Sequence, residues 1–121
     1  MTKRIMLVDD TETVLMFEKI MLSGHGYEVV TAKNGADALE KVASRPPDLI
    51  LLDIQMPEMD GIETCRNLKN NPKTQTIPVV MVTTKGTPEK VEAAFMAGCN
   101  DYLTKPVDKL EFLTKVKSFL G

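Results

Sequence analysis

Four short apolar runs in this 121-residue chain each end on groups able to handle a phosphoryl group or a cation. Ile5-Met6-Leu7-Val8 stops at Asp9-Asp10, and Leu49-Ile50-Leu51-Leu52 stops at Asp53. Val79-Val80-Met81-Val82 stops at the hydroxyls of Thr83 and Thr84, and Tyr102-Leu103-Thr104 stops at Lys105-Pro106. If these runs are neighbouring strands that point the same way, three carboxylates, a hydroxyl and an ammonium meet at one sheet edge. Carboxylates brought that close repel one another unless a cation intervenes. Mg2+ suits such a place, because it takes one or two carboxylates directly and fills its other positions with water or phosphate oxygens. A carboxylate such as Asp53 can then serve as nucleophile in phosphoryl transfer and become an aspartyl-phosphate. Lys105 and the metal would face the transferred oxygens, and Thr83 would donate to another. Taken singly, each residue has an ordinary reading: Asp9 or Asp10 as a helix cap, Asp53 as a turn acid before Pro57 and Asp60-Gly61, Thr83 as a structural strand end, Lys105 as a solvated loop lysine. Their coincidence at the ends of four runs is what favours a shared site.

The elements that must position these groups follow from the apolar pattern. Strands are expected at 4–8, 27–31, 48–53, 77–83 and 101–104. The first, third and fourth are continuous apolar runs, as strands buried on both faces of a parallel sheet are. Helices fill the gaps. Val14, Phe17 and Met21 mark one over 12–23, and Ala36, Leu39 and Ala43 mark another over 35–44, with Asn34 as its cap. Ile62, Cys65 and Leu68 mark the third. Thr87-Pro88 opens the fourth, and Asp108 with Glu111 opens the fifth as a capping box, its apolar stripe being Leu110, Leu113, Val116 and Leu120. Strand and helix alternating five times predict an α/β fold, a doubly wound five-stranded parallel sheet of flavodoxin-like order 2-1-3-4-5 with five helices. In such sheets the ligand crevice lies beyond the carboxyl ends of the first and third strands, where Asp9, Asp10 and Asp53 stand.

Composition sets the outer limits. A chain of this length makes one domain, here 1–121. Hydrophobic content of 43%, charged content of 26% and a net charge of −2 are those of an ordinary globular protein, with no basic tract to recruit nucleic acid. No apolar stretch reaches the ~20 residues that cross a bilayer, and the first strand starts too early to leave room for a signal peptide, so a cytoplasmic location without membrane contact is expected. Cys65 and Cys99 fit neither a disulfide framework nor a metal spacing and read as small core residues. His25, between two glycines, reads as a surface-turn residue rather than a phosphodonor.

The chain is similar to the receiver domains of bacterial two-component response regulators, of the CheY-like single-domain type. The resemblance is carried by Asp9-Asp10 after the first strand, Asp53 followed by Met56-Pro57-Glu58-Met59-Asp60-Gly61, Val82-Thr83, and Tyr102-Leu103-Thr104-Lys105-Pro106. The spacings of 43 residues from Asp10 to Asp53, 30 on to Thr83 and 22 on to Lys105 agree with it. It covers essentially the whole chain. The resemblance implies that Asp53 accepts a phosphoryl group from the phosphohistidine of a sensor histidine kinase or phosphotransfer protein. It implies Mg2+ on Asp10, Asp53 and the backbone carbonyl of Gln55, with Asp9 acting through water, and a cis Lys105-Pro106 bond. It further implies a switch through Thr83 and Tyr102 to the 87–119 face, where a downstream target would bind. Such a protein is a signalling switch rather than a turnover enzyme, whether a chemotaxis effector, a phosphorelay intermediate or a phosphate sink, and a monomer is expected. Thr84 departs from the small residue common beside the switch threonine, and with Gln55 and Lys85 it forms a rim that influences how fast the acyl-phosphate hydrolyses.

Four alternatives compete. One is the receiver of a longer regulator whose output domain follows Gly121. Another is a phosphatase of the haloacid-dehalogenase type, disfavoured because Asp9-Asp10-Thr11 lacks the DxD pattern and no cap-domain insertion follows. A third is a flavin module, disfavoured by the acids in the first loop. The fourth is a degenerate receiver, disfavoured by the presence of all five core positions.

Overall fold

A computed structural model describes residues 2–84 and 87–121. Its five strands are β1 (Arg4–Val8), β2 (Glu28–Ala32), β3 (Leu49–Asp53), β4 (Val79–Thr84) and β5 (Asp101–Lys105). The helices between and after them are α1 (Glu12–Leu22), α2 (Gly35–Ser44), α3 (Gly61–Lys69), α4 (Pro88–Met96) and α5 (Lys109–Leu120). The strands form one parallel sheet in the order β2-β1-β3-β4-β5, as expected. Val8 pairs with Leu52, Asp53 with Val82, and Thr84 with Lys105, so the polar ends of four strands share one edge.

Successive residues of a strand face opposite sides of a sheet, and both sides here are buried. Met6, Val8, Ile50, Leu52, Val79 and Met81 pack under α2, α3 and α4. Ile5, Leu7, Leu49, Leu51, Val80 and Val82 pack under α1 and α5, around the fully buried Phe112. That two-sided burial is why the runs are continuously apolar. Cys65 and Cys99 are buried free thiols, and His25 is exposed between Gly24 and Gly26, both at φ +82°.

The caps expected from the sequence are present. Asn34 Oδ1 accepts from the Asp37 N–H at 2.7 Å, Thr87 Oγ1 from Lys90 at 3.3 Å and Asp108 Oδ2 from Glu111 at 3.0 Å, each filling a donor the helix leaves open. Asp60 caps α3 in the same way, at 2.8 Å from the Glu63 N–H.

The faces of three helices differ from expectation. In α1 the buried set is Leu15, Glu18, Met21 and Leu22, while Phe17 is 52% exposed. Apolar residues surround α1 almost completely, so their spacing identifies a helix without choosing its inner face. In α2 the buried set is Gly35, Ala38 and Val42, not Ala36 and Ala43. The reason is Gly35, whose missing Cβ lets α2 approach Thr64 of α3 and the Met59 side chain. In α5, Leu113, Val116 and Leu120 face the core as expected, beside the unforeseen Phe112, and only Leu110 departs, at 75% exposed.

Gly61 stands against the site itself. Its N–H donates to the Ile54 carbonyl at 2.8 Å, and a Cβ there would overlap the backbone carbonyl of Asp53. Because that obstacle is backbone, Gly61→Ala is expected to destabilise the chain by about 2 kcal/mol, since overpacking against groups that cannot rotate away moves main chain. Urea unfolding measures this, and an unchanged midpoint would show that the loop yields freely.

Candidate functional site

The shared sheet edge gathers the residues singled out by the sequence. Carboxylate oxygens of Asp9, Asp10 and Asp53 lie within 4.8 Å of one another, Asp9 and Asp53 buried and Asp10 exposed. The Lys105 ammonium reaches across from β5, 2.7 Å from Asp9 Oδ2 and 3.4 Å from Asp53 Oδ1. Its peptide bond to Pro106 is cis. Asp9 Oδ1 accepts from the Thr11 N–H at 2.9 Å just ahead of α1, while Oδ2 takes the ammonium. Thr11 contributes no side-chain cap of its own, so Asp9 ties the helix to the site.

Three carboxylates against one ammonium leave the edge electronegative. Burial raises the Asp53 carboxyl, the Asp9 charge raises it further, Lys105 opposes both by charge and hydrogen bond, and Asp10 adds a small push. The result is about 6, well above the ordinary carboxylate value. Burial alone would lower the Lys105 ammonium, but its hydrogen bond to Asp9 and the charges of Asp53 and Asp9 hold it above its usual value. Even so, a value of about 6 leaves Asp53 mainly ionised at neutral pH. All the donors here are oxygens, so the cluster suits a hard cation.

Of the other predicted residues, Thr83, Thr84 and Gln55 border this edge. Thr83 is buried at the end of β4, its Oγ1 donating to the Thr84 carbonyl at 3.0 Å. Gln55 is exposed and lines, with Asp10, Met56, Asp60 and Lys90, a hollow of about 430 Å³ beside the acids. Thr84 is exposed and borders a second, apolar hollow. Lys85 lies outside the described residues. Tyr102 is 40% exposed on β5, its ring edge-on to Phe95 of α4 with centroids 5.9 Å apart. Sequence reasoning missed Glu18, an acid only 3% exposed on α1 that responds to the charges of Asp9, Lys105 and Asp53. The available signal was an acid three residues after Leu15 and three before Met21, on the apolar side of the helix.

A doubly wound parallel sheet binds ligands in the crevice beyond its carboxyl edge, where this chain places its buried acids and a lysine. The comparisons give its family. Residues 5–117 match the response regulator receiver domain family. The chain is 41% identical over 119 residues to the response regulator PleD of Caulobacter vibrioides, covering 98% of this chain but 26% of PleD. It thus spans about a quarter of PleD. It is 36% identical over 124 residues to the polar-differentiation response regulator DivK of Brucella ovis, covering 100% of this chain and 98% of DivK. The crystal structure of the chemotaxis response regulator CheY4 of Vibrio cholerae superposes with a TM-score of 0.91 at 28% identity, covering 98% of this chain and 99% of that one. The chain belongs to the response regulator receiver domain family, whose members are phosphorylation-dependent signalling domains of two-component systems rather than turnover enzymes. Among the described residues, no helix is long and apolar enough to cross a membrane.

Proposed function

We propose that residues 1–121 form a receiver domain in which Asp53 accepts a phosphoryl group in a Mg2+-dependent reaction. The observation that carries this reading is the meeting of Asp9, Asp10, Asp53 and Lys105, drawn from three strand ends, at one point. Three carboxylates with oxygens within 4.8 Å of one another offer the hard oxygen donors that such a divalent cation takes. Asp10, Asp53 and the Gln55 carbonyl would hold the ion, with Asp9 acting through water. When bound, it neutralises charge on the phosphoryl oxygens.

The chain's own residues do the rest. A carboxylate oxygen of Asp53 forms the new bond to phosphorus while the nitrogen–phosphorus bond of a phosphohistidine breaks, and the imidazole leaves with its electron pair. Lys105, freed from part of its duty to Asp9, pairs with a phosphoryl oxygen. The Thr83 hydroxyl turns from the Thr84 carbonyl to another oxygen, and the Tyr102 ring moves from Phe95 into the space vacated. The phosphoryl group thereby shifts a population between two conformers of the 87–119 face, which a downstream protein reads. The donor is a sensor histidine kinase or phosphotransfer protein in the cytoplasm, and the receiver itself is monomeric.

Beryllofluoride, a stable mimic of the phosphoryl group, tests this reading by NMR. With Mg2+ it should shift resonances of Thr83, Lys105 and Tyr102 together. Binding that leaves Tyr102 unmoved would remove the switch from the account. The rim makes a separate prediction. Replacing Gln55 and Lys85 together by Ala should change the rate of acyl-phosphate hydrolysis several-fold while leaving Mg2+ affinity intact, and identical decay curves would refute it.

A further inference from the structure

Glu18 sits on the face of α1 that otherwise carries Leu15, Met21 and Leu22, with 3% of its surface exposed. A charge so buried is costly unless something nearby uses it. Together with Phe17, Thr84, Lys105 and Val107 it lines a hollow of about 320 Å³ whose wall is almost wholly apolar. The charges that act on it are those of Asp9 at the end of β1, Lys105 at the end of β5 and Asp53 at the end of β3. Among the described residues it forms no ion pair. Its oxygens also fall outside the group that Asp9, Asp10 and Asp53 make, so it is placed to act on that group only through space.

We propose that Glu18 is a positioning residue of the cation site: its buried carboxylate adds a fourth negative charge to the field of Asp9, Asp10 and Asp53 and strengthens divalent-cation binding there without touching the ion. The inference rests on the reading of the site as a Mg2+-dependent phosphoacceptor. Burial, then the charge of Asp9, with Lys105 opposing, and then Asp53, push the Glu18 carboxyl up to about 7. Near neutrality the group therefore exists in both forms. A divalent cation on the cluster favours the carboxylate, so its binding releases a proton from Glu18 to the buffer. By linkage, ionised Glu18 strengthens cation binding by the same factor. Loading of the site, and with it phosphoryl acceptance, would then respond to pH across the neutral range, above the range set by Asp53.

Titration of the full chain with Mg2+ alone, by calorimetry from pH 5.5 to 8.5, tests this without any phosphodonor. Gln keeps the shape of Glu and removes its charge. Glu18→Gln should bind Mg2+ about 3- to 10-fold more weakly than wild type at pH 8.5, where a buried charge acts through a low dielectric, and equally at pH 5.5. Glu18→Asp, which keeps the charge, should restore the pH profile. Proton release gives a second readout: repeating the titration at pH 7 in buffers of different ionisation enthalpy should reveal more protons released on binding by wild type than by Glu18→Gln. Equal affinities at every pH, or a loss by the same factor at every pH, would overturn the proposal, the latter by showing a packing effect. Wild type that binds no Mg2+ would instead overturn the reading of the site, and this inference with it.

Discussion

Asp53→Asn is expected to melt at a higher temperature than the wild-type chain at pH 8 without divalent cations. The Asp53 carboxyl is held at about 6, against an ordinary value of 3.8, chiefly by burial and then by the charge of Asp9. A folded value above the unfolded one means that the native state holds its proton more tightly. Stability from this group is full below about pH 4, falls as pH rises through about 6, and is level above that. The shift corresponds to about 2 to 3 kcal/mol, or roughly 10 °C for a chain of this size. Asn removes the ionisable proton, so the variant should lack this fall. Glu18, raised from 4.5 to about 7, adds a decline of the same sign at slightly higher pH in both proteins. Mg2+ should narrow the gap by stabilising wild type more than the variant, since a ligand that binds only the native state adds stability. Equal melting temperatures at pH 8 would mean that Lys105 already compensates the buried carboxylate.

Lys105→Met is expected to move folding and cation binding in opposite directions. The ammonium serves Asp9 at 2.7 Å and Asp53 at 3.4 Å, with its side chain 17% exposed and theirs 3% and 7%. Removing one partner of a buried pair leaves the other charges unpaired, which costs about 3 kcal/mol. Met keeps the length and apolar character of the stem, so the loss should come from charge rather than packing. The same substitution removes the only cation among the groups found to act on Asp53, and Mg2+ should bind about tenfold more tightly. A merely damaged fold would weaken both. Chemical denaturation at pH 8 without metal, beside a Mg2+ titration of the variant, distinguishes the two outcomes.

The parts of this structure legible in the sequence are those determined locally or by two-sided burial. Leu49-Ile50-Leu51-Leu52 reads as a buried strand because both of its faces are covered, and the structure places β3 within a residue of expectation. Asn34, Thr87 and Asp108 read as caps because a cap is satisfied within three residues. The inner face of α1 did not read, since Phe17, Met16 and Ile20 are as apolar as the residues that turn inward and remain 52%, 63% and 63% exposed. Which side is buried depends on how α1 lies across β1 and α5, a tertiary matter. Glu18 was hidden for the same reason, because an acid on a helix reads as solvent-facing until the helix is docked. The types of the site residues were legible, but their pairing was not. Lys105 was expected toward the phosphoryl position, and in this structure its shorter contact is to Asp9, 96 residues earlier in the chain.

Intact mass after incubation with acetyl phosphate decides whether Asp53 is the phosphoacceptor. Wild type with Mg2+ should gain the mass of one phosphoryl group. It should gain none in excess EDTA, and Asp53→Asn with Mg2+ should gain none. An adduct of the same size on Asp53→Asn, or one formed equally in EDTA, would contradict the account.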